Sequence, residues 1–182
     1  MKINVVGSSG SGKSTLSRAL ADALGVTYIQ LDQLFWRANW QGTPDEEFFP
    51  KLEAALADHS EGWVLDGNFN RTREIKWREA DMIVWLDYGF WRIFRQSLHR
   101  AISRIISQEE LWPGTGNRES FRQTFMSRDS ILVWMLMNWR SNRQRYVASM
   151  LDARYRHLRI VRLTHPKETE ALVASLVQYQ DH

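Results

Sequence analysis

Residues 7–14 read GSSGSGKS. They put Gly7, Gly12, Lys13 and Ser14 at the four fixed positions of G-x-x-x-x-G-K-[ST], a loop pattern that cradles nucleotide phosphates. The flanks agree with it. Residues 2–6 (KINVV) predict a short buried strand. From Ser14 onward Leu16, Ala19, Leu20, Ala23 and Leu24 repeat at helical spacing, and Gly25 is a natural stop. Strand, glycine loop and helix is the order this chemistry needs.

The physics of the loop follows from its residues. Glycine reaches backbone angles closed to residues with a Cβ, so the chain can curl until successive N–H groups point at one centre. A polyphosphate fits that concavity at the positive end of the following helix. Lys13 adds a full charge. At ~4 Å and an effective dielectric of about 20, such a contact is worth about 4 kcal/mol before desolvation is subtracted. Ser14 offers a hydroxyl to Mg²⁺, a hard ion that prefers oxygen and keeps several waters. The candidate nucleotide contacts are therefore Gly7, Ser8, Ser9, Gly10, Ser11, Gly12, Lys13, Ser14 and Thr15, with ATP and Mg²⁺ as the expected cofactors.

The chain has 182 residues, enough for one α/β domain, and shows no linker or internal repeat. It has no cysteine, which excludes disulfides and thiolate metal sites. Lys2 is followed directly by the strand and loop, so a cytoplasmic location is expected. The densest apolar stretch, Ile131 to Met137, is far short of the ~20 residues that span a bilayer, and no membrane partner is expected. A net charge of +3 suits an anionic substrate or nucleic acid without choosing between them.

Further strands are expected at residues 27–31, 62–66, 82–86 and 158–163. Helical patterns separate most of them, which predicts a parallel sheet covered on both faces. Thr43-Pro44-Asp45-Glu46 reads as a capping box with proline at the first helical position, and Pro50 predicts a kink or a restart. A long helix is expected over Phe90 to Gln108, with Leu98, Ala101, Ile102, Ile105 and Ile106 on its apolar side. The stretch Trp112 to Asn117 is a loop, two or more helices fill 119–154, and a last helix follows Pro166.

Ligands of open parallel sheets sit beyond the carboxyl ends of the strands, where Asp32, Asp66 and Asp87 fall. Asp66 suits Mg²⁺, usually through water, or caps a turn. Asp32 can act as a base toward an acceptor hydroxyl, contact Mg²⁺, or cap a helix. Asp87 reads mainly as a structural cap. Phosphoryl transfer spreads negative charge, and one arginine can contribute about 10³–10⁵ in rate. Arg92, Arg95, His99, Arg100 and Arg104 share a stripe that is either a solvated face or a closing lid. Arg118, Arg122 and Arg128 follow the glycine-containing loop. From this set Arg92, Arg95 and Arg118 join Lys13 and Asp32 as candidate catalytic residues. Arg71, Arg73 and Arg37, the last beside Phe35, Trp36 and Trp40, are candidate acceptor contacts with Asp32. The run from Arg140 to Arg159 reads as solvent-facing surface.

GSSGSGKST, LDQLFW, WVLDGNF and a strand ending in WLD together resemble the adenylate-kinase-related branch of P-loop kinases, some of them labelled DNA topology modulation proteins of the FlaR type. The GNRES and SRDSI segments resemble that branch too. The resemblance implies a P-loop NTPase fold of nucleoside-monophosphate-kinase type: a five-stranded parallel sheet of order 2-3-1-4-5, flanked by helices, with a helical lid. Residues 33–60 would bind the acceptor and about 92–128 would form the lid of a single domain, 1–182. Lys13 and Ser14 would take the phosphate and Mg²⁺ roles, and Asp66 the Mg²⁺-water role. The loop of His165, after the last strand, would either stand beside the adenine or be a plain strand-to-helix turn. Adenylate kinases carry Asp-Gly-Phe-Pro-Arg after the third strand, where this chain has Asp66-Gly67-Asn68-Phe69-Asn70-Arg71. They carry Thr-Gly-Asp after the second, where this chain has Gln30-Leu31-Asp32. Both departures argue against AMP as the acceptor.

The expected function is phosphoryl transfer from Mg-ATP to a small acceptor. An ATP-switched nucleic-acid-associated regulator and a plain NTPase are the alternatives; a nucleic-acid partner is disfavoured by the low net charge. Lys13→Ala is expected to abolish ATP turnover and leave the circular dichroism spectrum unchanged; unchanged turnover would remove Lys13 from the chemistry.

Overall fold

A computed structural model describes residues 1–119 and 131–180, with the backbone alone over 131–138 and 179–180. A five-stranded sheet of order β2-β3-β1-β4-β5 forms its centre, and every pairing is parallel. The strands are β1 Lys2–Gly7, β2 Thr27–Gln30, β3 Trp63–Asp66, β4 Met82–Leu86 and β5 Arg159–Leu163. The helices are α1 Lys13–Leu24, α2 Leu31–Phe35, α3 Asp45–Ala57, α4 Arg73–Glu79, α5 Phe90–Ser107, α6 Ile131–Met150 and α7 Pro166–Gln180. No helix among the described residues is long and apolar enough to cross a membrane.

The central strands are buried on both faces, as near-continuous apolar runs require. Ile3, Val5, Val64 and Val84 face Leu16, Leu20 and Leu24 of α1 and Leu172 and Leu176 of α7. Val6, Leu65, Ile83 and Trp85 face Phe48, Leu52 and Leu56 of α3 and Trp77 of α4. Each fully buried aliphatic or Phe side chain contributes about 1.5–3 kcal/mol.

Three expectations fail locally. Thr43 does not cap α3. Its residue is 3% exposed, and its hydroxyl donates to Phe35 O (2.7 Å) instead, because the chain between Trp36 and Gly42 closes on itself through an antiparallel bridge. Pro44 stands at the cap position, without a side-chain cap bond. Pro50 does not restart α3, which runs as one helix from Asp45 to Ala57. Phe48, Leu52 and Leu56 pin the helix to the sheet, while Pro50 and Glu46, whose carbonyl it cannot serve, are exposed. α5 buries Ile93, Ser97 and Ala101 rather than its isoleucine row. Ile102 and Ile106 are 45% and 76% exposed.

A buried polar network ties β1 to the turn after β3. The Asn4 amide donates to Leu65 O (3.0 Å) and Gly67 O (3.3 Å), and its oxygen accepts from Trp77 Nε1 (3.0 Å). Lys76, buried in α4, donates to Gly67 O (3.2 Å) and to Asn68 O. Burial, helped by the Arg73 charge, pushes Lys76 down to about 7 from 10.5. A base with a lowered folded-state pKa binds fewer protons folded than unfolded, so it makes stability rise with pH from about 7 to about 10.5. Lys76→Met is expected to remove this slope. In urea unfolding at about pH 7 and about pH 10, the wild type gains on the variant at the higher pH. A stability difference independent of pH would contradict it.

Candidate active site

β1 delivers the chain to Gly7 at the carboxyl edge of the sheet, and the loop folds back on itself through Ser11 N–H to Ser8 O (3.2 Å). A Cβ at Gly7 would lie 2.8 Å from Leu86 O, and one at Gly10 would lie 2.0 Å from Ser97 Oγ. The glycines thus let β4 and α5 close on the loop. Gly12, at φ 91°, begins α1 with no side-chain cap, and the first turn of that helix carries no acid. The helix leaves its first N–H groups to a ligand. The Ser11 hydroxyl is buried without a partner in the same loop. Lys13 Nζ donates to Ser8 O (3.0 Å), folded onto the loop it serves. Burial holds its ammonium below the ordinary lysine value; Asp66 and Asp32 oppose the shift and Arg100 adds to it. An uncapped helix start, an orphaned hydroxyl and a lysine on one loop suit an oxyanion.

Asn68 fixes the start of this loop. Its amide donates to Gly7 O (2.7 Å), and its oxygen accepts from Gly7 N–H (3.1 Å). The turn that Lys76 and Asn4 hold therefore grips the phosphate loop directly.

Asp66, 5% exposed, ends β3 beside the loop and accepts from the Tyr28 hydroxyl (3.2 Å). Asp32 lies in the first turn of α2, within electrostatic reach of Lys13, Asp66, Arg100 and Arg104. Burial raises the Asp32 carboxyl above its ordinary value; the Lys13 charge opposes, Asp66 adds, and the two arginines oppose. No cluster of three or more His, Cys, Asp or Glu that could hold a metal occurs among the described residues. A Ser hydroxyl and one or two carboxylates suit Mg²⁺, which takes its remaining ligands from phosphate and water.

α5 crosses the loop with small residues inward. Ser97 Oγ donates to Ser9 O (3.1 Å), and Arg100 Nη2 donates to Ser9 Oγ (2.9 Å). Arg104 pairs with Glu119 (3.1 Å). Arg100 is thus the guanidinium of this stripe that touches the loop. Arg92 and Arg95 are exposed and line a cavity of about 800 Å³ with Trp91, Leu98, His99 and Ile102. The structure does not bring them to the loop, because helical spacing turns them away from the Ser97 face. Arg118 is exposed, and Arg122 and Arg128 lie outside the described residues.

The acceptor candidates divide. Arg71 pairs with Asp45 (3.2 Å) and lies over the rings of Phe35 (4.9 Å), Phe48 (5.7 Å) and Phe69 (5.9 Å). Arg37 pairs with Glu47 and reaches Thr43 Oγ1 (3.3 Å). Arg73 turns away, bonded to Asn70 Oδ1 (3.0 Å) and stacked over Trp77 (5.2 Å). The aromatic segment meets the loop after α5: Trp112 stacks on Trp36 (5.8 Å between centroids). Asn117 accepts from Trp40 N–H (2.9 Å) and donates to Arg37 O (2.8 Å). His165 is exposed in the turn before α7, where its Nδ1 accepts from Lys167 N–H (3.2 Å).

Asp87 binds Arg143 (3.0 Å) and Arg162 (2.8 Å), tying α6 and β5 to the end of β4. The arginines of the run from Arg140 to Arg159 are exposed, as expected, and Arg154 also pairs with Glu74 (2.8 Å) on that surface.

No protein-family profile matches the chain. Cytidylate kinase of Nitratidesulfovibrio vulgaris is 40% identical over 64 residues, 35% of this chain and 26% of that protein. The match thus spans about a quarter of the curated relative's length. A gluconokinase structure from Sinorhizobium meliloti matches 100% of this chain and 97% of its own, with TM-score 0.50 and 22% identity. A shikimate kinase structure from Bacteroides thetaiotaomicron matches 100% and 99%, with TM-score 0.53 and 15% identity. With the sheet order β2-β3-β1-β4-β5, these likenesses show the fold of P-loop kinases.

Asn68→Ala removes two hydrogen bonds from the Gly7 peptide. At about 1 kcal/mol net for each, about 2 kcal/mol in all, nucleotide affinity is expected to fall by up to roughly thirtyfold by isothermal titration calorimetry. Wild-type affinity in a folded variant would mean the loop holds its shape alone.

Proposed function

We propose that this chain is a P-loop kinase that transfers the γ-phosphoryl group of Mg-ATP to a hydroxyl of a small acceptor. The observation that carries the reading is the grouping of Asp32 with Lys13, Asp66 and Arg100 at the carboxyl edge of the sheet. The loop amides, Lys13 and residues 7–15 bind the triphosphate. Ser14 and Asp66 hold Mg²⁺, directly or through water; the ion supplies charge that offsets the developing negative charge on the phosphates. Arg100, already bonded to Ser9, reaches the transferring group. Asp32 takes the proton of the acceptor hydroxyl as that oxygen attacks phosphorus and ADP leaves. Its position above the ordinary carboxylate range makes it a better base once ionised and predicts a falling rate on the acid side.

The acceptor lies between Asp32, the aromatic segment within 33–60, and Arg71 and Arg37. A nucleoside monophosphate needs an arginine on its phosphate. Here Arg71 is countered by Asp45, Arg37 by Glu47, and Arg73 is turned away. That arrangement favours a hydroxyl acceptor. The chain is read as one catalytic unit with the α5 region as its lid, and the adenylate-kinase-related motifs and the cytidylate kinase stretch support the kinase class.

ADP release measured against a panel of sugars, hydroxy acids and nucleoside monophosphates tests this. Stimulation by a hydroxyl-bearing, phosphate-free acceptor is expected. Asp32→Asn is expected to slow that transfer by about 10²–10⁴-fold while the affinity for Mg-ATP stays within about twofold. Stimulation by nucleoside monophosphates alone, with Asp32→Asn fully active, would overturn the hydroxyl reading. Hydrolysis with no stimulation would mean a plain NTPase.

A further inference from the structure

Tyr28 is a residue the nucleotide reading does not use. It stands on β2, and the register pairs Tyr28 with Val64 and Gln30 with Asp66, so Tyr28 and Asp66 project to the same face of the sheet. Its hydroxyl donates to Asp66 Oδ2 at 3.2 Å. The Ser14 hydroxyl stands close enough to interact with it, and the Arg18 guanidinium, one helical turn beyond Ser14 on α1, lies 4.9 Å over the ring. Tyr28 thus bonds one of the two oxygen groups assigned to the cation, lies near the other, and is held by a side chain of the helix that carries that second group.

Asp66 is 5% exposed, and among the described residues Tyr28 is the one side chain that donates to it. A buried carboxylate can accept several hydrogen bonds. One donor leaves acceptor capacity facing the phosphate loop, where cation-bound waters would satisfy it.

We infer that Tyr28 is a positioning residue of the cation seat: its hydroxyl holds the Asp66 carboxylate in line with the Ser14 hydroxyl, so that both reach one Mg²⁺ and its waters. The inference rests on the nucleotide reading above. Groups that orient a metal's ligands without touching the ion typically change metal affinity by about 10–100-fold when removed.

The test is Tyr28→Phe, which keeps the ring and deletes the hydroxyl. ATP affinity is measured by calorimetry in EDTA and across a Mg²⁺ titration, with the unfolding temperature as a check on the fold. The expected result is metal-free ATP affinity within about twofold of wild type, and a half-saturating Mg²⁺ concentration raised by about tenfold. Arg18→Met, which leaves the hydroxyl in place, is the second variant and is expected to keep the wild-type Mg²⁺ response. An unchanged Mg²⁺ response in Tyr28→Phe overturns the inference and leaves the nucleotide site standing. An equal loss in Arg18→Met assigns the effect to ring packing and also overturns it. Wild-type ATP binding that ignores Mg²⁺ brings down the cation seat and the role of Tyr28 together.

Discussion

The amino end of α1 carries partial positive charge that the described protein groups do not answer. Gly12 offers no side chain, the first turn holds no acid, and Lys13 adds a full charge whose nearest acceptor is a loop carbonyl. None of the helix starts from α1 to α5 has a side-chain cap, but α1 also lacks the first-turn acid that α2, α3 and α4 carry. Leaving this one bare at a buried loop makes sense if a ligand completes it. The surrounding structure follows from that need: β1 brings the loop to the sheet edge, β4 and α5 approach so closely that Gly7 and Gly10 have no room for a Cβ, and the carboxylates at the ends of the neighbouring strands gather around the lysine.

A second layer holds the loop in shape. Asn68 binds both polar groups of Gly7, Lys76 binds the successive carbonyls of Gly67 and Asn68, and Asn4 links that turn to Trp77. The Asp-Gly-Asn element after β3 therefore serves two purposes. Asp66 would face the cation of the proposed reaction, and Asn68 fixes the glycine loop at Gly7. In adenylate kinases the corresponding element ends with an arginine for the acceptor. Here Arg71 sits one position later, on a platform of three phenylalanine rings with Asp45 as its counter-charge.

The sheet, its parallel sense and the phosphate loop were legible because they depend on local signals. Continuous apolar runs such as MIVWL fit strands buried on both faces, and β4 falls on that run, Met82–Leu86. What sequence could not show depends on which surfaces meet. The apolar row of α5 pointed to Ile102 and Ile106 as its inner side, yet Ser97 turns inward because only a small residue fits against Gly10. That rotation brings Arg100 to the loop and leaves Arg92 and Arg95 outside. Asn68 and Lys76 carried no pattern of their own; a lone lysine in REIKWRE reads as surface until the fold buries it. Asn68, directly after the shared Asp66-Gly67, was the one hint, as the first residue that departs from the Asp-Gly-Phe-Pro-Arg of adenylate kinases. Thr43 shows the same limit in reverse, a well-formed capping signal diverted by a carbonyl eight residues earlier.

The most direct measurement is a crystal structure with Mg²⁺ and a non-hydrolysable ATP analogue at saturating concentration. The β- and γ-phosphates are expected at the start of α1, with Lys13 Nζ moved from Ser8 O onto them and the cation between Ser14 and Asp66. A loop left bare, with Lys13 still bonded to Ser8, would contradict it.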